Sequence, residues 1–226
     1  MTKSIINISK LSKIYNENNN IISILKDINL NIIKGDIISI IGPSGSGKST
    51  LLNILGFLDS EFIGEYHFLG KNSKKIKLNE KNIIRNRSIG FVHQFFHLIP
   101  ELNILENICL PMLIKKNDYK KSFEAAEEII TNFKLQDRMY AKPNNLSGGE
   151  KQRVAIARAL INNPDIIIAD EMTGNLDKKT GESVFNFFLE QIKIKKQTLV
   201  YVTHNNNFAK KANIVYEINN QNLIKI

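Results

Sequence analysis

The sequence predicts an α/β fold built on buried parallel strands, and three stretches carry the prediction. An apolar run from Asp36 to Ile41 leads into a glycine-rich turn and then a helix starting near Lys48. A second apolar run, Ile166 to Ala169, ends in the adjacent carboxylates Asp170 and Glu171. A third strand, Thr198 to Thr203, ends at His204. Polar residues at the C-terminal ends of parallel strands are where α/β sheets keep their sites.

Residues 4 to 41 read as β-structure in three pieces. SIINISKLSKIY is followed by a polar turn at Asn16 to Asn20, with a mobile tip expected at Asn18, Asn19 and Asn20. IISILKDINLNII, a Lys34-Gly35 turn and the strand from Asp36 complete the region. Tyr15 stands just before the first turn. An aromatic on a strand edge and a base-stacking platform fit its pattern equally well.

Gly42 to Ser49 matches G-x-x-x-x-G-K-[ST] at every fixed position, the phosphate-binding loop. Gly42, Gly45 and Gly47 let successive backbone N–H groups point into one anion-sized hollow. The helix start adds unpaired donors and the positive end of its dipole. Lys48 brings a full charge to the outer phosphates, and the Ser49 hydroxyl is placed to ligate Mg²⁺. Leu51, Ile54, Leu55 and Leu58 follow at i, i+3, i+4 and i+7, one buried helix face.

Strand-like runs at Tyr66 to Leu69 and Ile89 to Val92 flank a lysine-rich segment, Lys71 to Lys81, read as a solvated face. From Phe91 to Lys116 the chain is apolar but holds Pro100 and Pro111, expected to break it into a turn and short helical pieces. Such a segment either packs as an inserted lobe or faces a partner. Asp118 to Leu135 reads as a helix with a Phe123, Ala126, Ile130, Phe133 stripe, and Pro143 ends that lobe. Ser147 and Glu150 form S-x-x-E, so a helix begins at Gly148 and runs to about Asn162. Two glycines in its first turn cost about 1 kcal/mol each relative to alanine. Backbone approach to an anion is the candidate offset. The tail, IVYEINNQNLIKI, reads as a closing hairpin.

With 226 residues the chain has room for one substantial core and one domain with an inserted lobe. No apolar run approaches the roughly 20 residues that span a bilayer. The start, MTKSIINISKLSK, lacks the unbroken apolar segment of a secretory signal, so a cytoplasmic chain is expected. The single cysteine, Cys109, excludes an internal disulfide and a cysteine-based zinc site, and is expected in the core. A net charge of +9 fits a basic patch or a chain rich in Ile, Asn and Lys; the lysines are scattered, so charge decides nothing.

Asp170, after an apolar strand, is what a Mg²⁺ site beside a phosphate loop needs, opposite the Ser49 hydroxyl. Glu171 is placed to orient or deprotonate an attacking water. Gln94 offers an amide at the start of the proline-broken lobe. Together, GPSGSGKST, Gln94, LSGGEKQR, IIIADE, the Asn175-Leu176-Asp177 turn and His204 resemble, in order and spacing, the ATP-binding cassette ATPases. The resemblance covers essentially the whole chain. It implies a P-loop NTPase core of the RecA-like α/β type with an N-terminal antiparallel β subdomain. It also implies a helical signature subdomain inserted at about residues 95–160, all within one nucleotide-binding domain, 1–226.

The resemblance also implies roles. Gly42, Pro43, Ser44, Gly45, Ser46, Gly47, Lys48, Ser49 and Thr50 would hold the phosphates of ATP, and Tyr15 would stack on adenine. Ser49, Gln94 and Asp170 would hold Mg²⁺, with Gln94 also contacting the attacking water and reporting to a membrane partner. His204 would reach the γ-phosphate, with Glu171 acting on the attacking water. Ser147, Gly148 and Gly149 would bind the γ-phosphate held by the opposite copy of a head-to-tail homodimer, with Asp177 at the dimer contact. Three positions depart from the family pattern: Met172 stands for proline, His93 for tyrosine and Asn205 for aspartate. The first removes a φ constraint from the turn into Asn175.

Within that family, FVHQFFHLIPELNILENICLP and NNLSGGEKQRVAIARALINNPDIIIADEMTGNLD are similar to the ATP-binding subunits of lipoprotein-releasing systems. That implies a peripheral subunit on the cytoplasmic side of the inner membrane. Its partners would be integral permease subunits of the LolC/LolE kind, and it would drive release of lipoproteins for transfer to the outer membrane. Related export ATPases and the cell-division ATPase FtsE share most of these motifs. DNA-repair ATPases share the signature but insert long coiled coils; the interval from Ser49 to Ser147 holds no sustained heptads, and no nucleic-acid partner is expected.

Overall fold

Apolar residues recurring along β1 (Ser4–Glu17) and β2 (Asn20–Ile33) make a long antiparallel pair that buries Ile6, Ile8 and Leu11 together with Leu25, Ile28, Leu30 and Ile32. The computed structural model describes residues 4–17, 20–116 and 118–226. Of the expected mobile tip, Asn18 and Asn19 lie outside the described residues, while Asn16 is still paired, opposite Ile21. The chain divides into two units, Met1–Asn82 with Gln197–Ile226, and Ile83–Lys196.

In the first unit β4 (Ile63–Phe68) and β5 (Lys71–Asn72) extend the antiparallel sheet in the order β2-β1-β4-β5. A second set of strands is mixed. β3 (Ile37–Ile41) lies parallel between β8 (Thr198–Val202) and β9 (Ile214–Asn219), and β10 (Asn222–Lys225) closes antiparallel on β9 as the tail predicts. α1 (Lys48–Leu55) buries Leu51, Leu52, Ile54 and Leu55, a contribution of about 1.5–3 kcal/mol each. It is shorter than the sequence spacing implies: Leu58 lies beyond it and is 49% exposed. Phe57, at φ 57°, turns the chain away and packs its ring against Tyr66 and Phe68, while the Tyr66 hydroxyl donates to the Leu55 carbonyl at 2.7 Å. Burying the aromatic cluster outweighs one more helical turn.

α2 (Leu78–Ser88) begins in the lysine-rich segment and was not legible there; it buries none of its residues, so it leaves no apolar stripe. In the second unit β6 (Ile89–Val92) and β7 (Ile166–Asp170) pair in parallel. Helices α3 (Ile104–Lys116), α4 (Tyr119–Asn132), α5 (Gly148–Leu160) and α6 (Lys178–Ile194) belong to the same unit. Of these, α3, α4 and α5 fall inside residues 95–160.

α3 corrects the expected break at Pro111, which sits inside a continuous helix. An interior proline costs about 3 kcal/mol or more. Here Ile104, Leu105, Ile108 and Cys109 are buried, and the side-chain amides of Asn86 and Asn162 both donate to the Pro111 carbonyl at 3.0 Å. Tertiary packing offsets the local penalty. Pro100 does interrupt the chain, in a turn pinned by the fully buried Asn107: its Oδ1 accepts from Ile99 N at 2.8 Å and its Nδ2 reaches the Ile99, Leu102 and Asn103 carbonyls at 3.0 Å. α4 starts on the Asp118 cap and buries Ala126 and Ile130 as predicted. α6, for which no sequence signal was read, sets Phe187 edge-on to Phe133 at 4.9 Å.

Candidate functional site

In the first unit β3 and β8 run parallel with Ile40 opposite Val202. The loop that opens at Gly42 and the residue His204 therefore leave the same end of the sheet. Gly42, Gly45 and Gly47 take φ of 147°, 77° and 96°. At Gly47 an added Cβ would lie 2.8 Å from Ile24 Cγ2 and 3.0 Å from Leu25 Cδ2, so β2 closes against the loop and only glycine fits. Gly45 faces open space.

Gly47 is also the N-cap of α1 and offers no side-chain acceptor, which leaves the first N–H groups of the helix for an anion. Ser46 Oγ is buried without a hydrogen-bond partner. Lys48 is 5% exposed and its Nζ donates back into the loop, to Pro43 O at 2.7 Å and Gly42 O at 3.0 Å. Ser44 and Ser49 are exposed, and Thr50 half-buried, on the same turn. A hollow of N–H donors, an enclosed ammonium and an orphaned hydroxyl suit a multiply charged anion.

Tyr15 is 40% exposed near the end of β1. Its hydroxyl lies 3.5 Å from Asp59 Oδ2, and Lys13 Nζ stands 4.7 Å from the ring centroid. Burial pushes the Asp59 carboxyl up, but the Lys13 ammonium and the Glu61 N–H together hold it below the usual carboxylate range. His204 is exposed beyond β8. The following Asn205 caps the short α7 (Asn206–Ala209), its Oδ1 accepting from Asn207 N at 2.9 Å and Phe208 N at 3.3 Å, so the amide keeps the capping role open to aspartate.

In the second unit Val92 of β6 stands opposite Ala169 of β7, so Gln94 and the Asp170-Glu171 pair again leave one end. Asp170 Oδ1 is buried with no partner. Glu171 has φ 41°, a left-handed conformation that costs a carboxylate residue about 1–3 kcal/mol, and Gly174 N closes the turn on its carbonyl at 2.8 Å. Met172 is 3% exposed: packing of its side chain supplies an anchor where the proline ring is missing.

Gln94 is docked on this turn. Its carbonyl accepts from Asn175 Nδ2 at 3.0 Å, and a Cβ at Gly174 would meet Gln94 Nε2 at 2.8 Å. Asp177 caps α6 by accepting from Thr180 N at 3.0 Å, and its carboxyl is held down by the Thr180 side chain and backbone. The capping box is present: Glu150 Oε2 accepts from Ser147 N at 2.7 Å and Ser147 Oγ from Glu150 N at 3.3 Å.

The two glycines after Ser147 have a reason that sequence reasoning missed. A Cβ on Gly148 would lie 3.0 Å from Leu176 Cδ2, and one on Gly149 2.7 Å from Thr180 Cγ2. Close packing of the α5 start on residues 176–180 thus disfavours a larger residue at Gly149, where Thr180 would have to shift, while at Gly148 the end of the Leu176 side chain would have to give way. Also missed was Arg158, whose Nη1 and Nη2 donate to the His97 and Phe96 carbonyls at 2.7 and 2.9 Å, and whose guanidinium pKa burial lowers. His93, in the place of tyrosine, keeps an aromatic role, stacked on Phe91 at 5.0 Å and 7°. No local motif announces Arg158 or the Lys13–Asp59 pair, and the Asn175-Leu176-Asp177 turn does not disclose that Asn175 bonds Gln94, because each acts on a residue distant in sequence.

The family profile described as ABC transporter covers residues 25–174. The lipoprotein-releasing system ATP-binding protein LolD of Rickettsia bellii is 44% identical over 218 residues, 96% of each chain. The LolD protein of Francisella tularensis subsp. tularensis is 42% identical over 219 residues, 96% of this chain and 95% of that one. Among solved structures, the dimeric post-hydrolysis state of the ATP-binding cassette MJ0796 bound to ADP and Pi superposes with a TM-score of 0.87 at 40% identity, covering 96% of both chains. A second dimeric structure of MJ0796, a bacterial ABC transporter cassette, gives 0.87 at 41%. This chain therefore belongs to the ABC transporter family, as an ATP-hydrolysing nucleotide-binding cassette.

Proposed function

We propose that this cassette is the ATPase subunit of a lipoprotein-releasing complex, a homodimer bound peripherally to integral permease subunits of the LolC/LolE kind on the cytoplasmic side of the inner membrane. The observation that carries the reading is similarity to LolD proteins at 42–44% identity along about the whole chain. Among the described residues no helix is long and apolar enough to cross a membrane, and the spanning role is assigned to the partners. Phe95, directly after Gln94, is 64% exposed, which supports a partner-facing surface there.

The residues divide the work as follows. Backbone N–H groups of the Gly42–Thr50 loop, Pro43 excepted, hold the phosphates of ATP, and Lys48 exchanges the Gly42 and Pro43 carbonyls for phosphate oxygens. Tyr15 stacks on the adenine. Glu171 orients and deprotonates the attacking water, a contribution of roughly 10²–10⁴-fold in rate, and His204 contacts the γ-phosphate. Ser147, Gly148 and Gly149 reach the γ-phosphate bound by the other copy, with Asp177 beside the dimer contact.

Ser49, Gln94 and Asp170 are oxygen donors of the kind Mg²⁺ takes, and the buried, unpartnered Asp170 Oδ1 fits a cation or its water. When bound, the ion neutralises charge on the phosphates.

Depletion of the chain in its host tests the function. Lipoproteins should accumulate in the inner membrane, and wild type but not Glu171→Gln should restore their release. Unchanged lipoprotein distribution on depletion would overturn the reading.

A further inference from the structure

We infer that the Lys13–Asp59 ion pair is a positioning device for Tyr15, holding its ring as the base platform and so setting the preference for ATP over triphosphates without adenine. The inference rests on the adenine-stacking role proposed for Tyr15 and adds two residues to it.

Lys13 is nearly enclosed, its side chain 3% exposed, and its Nζ lies 2.8 Å from Asp59 Oδ2. The same Nζ donates to the Glu61 carbonyl at 2.7 Å and stands over the Tyr15 ring at 4.7 Å. Asp59 is held in turn: its Oδ1 accepts from Glu61 N at 2.9 Å, and its Oδ2 lies 3.5 Å from the Tyr15 hydroxyl. A buried ammonium is costly, and an apolar side chain of similar size often packs as well. The pair therefore calls for a use beyond packing.

Geometry supplies the use. Lys13 and Tyr15 are two residues apart on β1, beside a register shift in its pairing with β2, and the ammonium lies over the ring. Tyr15 stands between Ile14 and Asn16, both exposed. The ammonium covers one ring face and the carboxylate meets the hydroxyl, which leaves the remaining exposed ring surface for a base.

Asp59 is itself fixed to α1. Leu58 N and Asp59 N both donate to the Asn53 carbonyl, at 2.8 and 3.1 Å. The first turn of that same helix closes the phosphate loop, where Leu51 N donates to Gly47 O at 2.9 Å. One rigid helix thus sets the phosphate cradle at its start and the ring's anchor just past its end.

The test compares ATP with inorganic tripolyphosphate, which has no base, on the full chain. Lys13→Met is expected to raise the KM and Kd for ATP roughly three- to tenfold through the cost of ordering a freed side chain, with the loss falling on KM rather than kcat. Its affinity for tripolyphosphate should stay at the wild-type value, and Lys13→Arg, which keeps the cation, should restore ATP. Lys13→Met/Asp59→Leu removes both charges and gives the same selective loss should the single variant fold poorly. Equal weakening of both ligands, or no change in ATP affinity, overturns the inference. Tyr15→Ala separates the two readings: if it leaves ATP affinity intact the platform itself falls, and if it weakens ATP while Lys13→Met does not, only the positioning role falls.

Discussion

Gln94 and Asn175, 81 residues apart in sequence, bond to each other in both directions: Asn175 Nδ2 donates to the Gln94 carbonyl at 3.0 Å and Gln94 Nε2 to Asn175 Oδ1 at 3.5 Å. The second bond is long and both are exposed, so together they hold about 1 kcal/mol or less. Their value is positional, since they tie Gln94 and the segment that starts at the exposed Phe95 to the turn that carries Glu171. Asn175→Ala should leave ATP affinity within about twofold and lower kcat more than it lowers the melting temperature. Asn175→Asp should be worse, because a carboxylate then faces the Gln94 carbonyl. Steady-state hydrolysis with thermal melting checks both.

Lys48→Ala should weaken ATP binding by at least about tenfold, as expected for lost charge-assisted bonds of 1.5–3 kcal/mol. Because Lys48 Nζ also ties Gly42 and Pro43 together, the nucleotide-free variant should melt a few degrees lower, at about 2–4 °C per kcal/mol. Calorimetric titration and a melt without nucleotide measure the two effects separately.

Gly149→Ala sets helix propensity against packing. Alanine gains about 1 kcal/mol in a helix, yet its Cβ would meet Thr180 Cγ2 at 2.7 Å. The variant should be destabilised despite its propensity. Adding Thr180→Ser removes the opposing methyl and should recover the melting temperature. If hydrolysis stays low in the recovered double variant, the glycine also serves the phosphate; if hydrolysis returns, packing is its whole reason.

Arg158→Ala should lower stability by about 1.5–3 kcal/mol, since two carbonyls lose a charged donor, including that of His97 at φ 46°. Basal ATP affinity should persist while stimulation by the proposed permease subunits falls. A variant with wild-type stability and full stimulation would remove Arg158 from the support of that loop.

The capping box should respond to acid. The Ser147 N–H holds the Glu150 carboxyl below its ordinary value against the opposing effect of burial, with the Ser147 hydroxyl and Arg138 assisting. A carboxyl depressed in the folded state adds stability above its unfolded pKa and loses it as pH falls through the folded value. Glu150→Gln keeps an acceptor but does not titrate. Its melting temperature should lie below wild type near pH 7 and converge with it by about pH 3.

Much of the site was legible because its signals are local. The phosphate loop spells its own turn in glycines, Ser147 and Glu150 satisfy each other three residues apart, and apolar runs marked β3, β7 and β8. What failed was reading where packing overrides local preference. Pro111 looked like a break, yet two asparagines and buried neighbours carry α3 through it. Leu58 matched the helix period, yet the chain turned at Phe57 to complete an aromatic cluster. α2 showed no pattern because it buries nothing.

By itself the sequence determined the strand ends, the phosphate hollow, the capped signature helix and the family, each a matter of residue types a few positions apart. Only the tertiary structure decided what a side chain at Gly149 would meet, what holds Gln94, and which charges sit against Tyr15. Those answers depend on side chains brought together from distant parts of the chain, and the free energy of such contacts is set by burial and geometry, which no local spacing encodes.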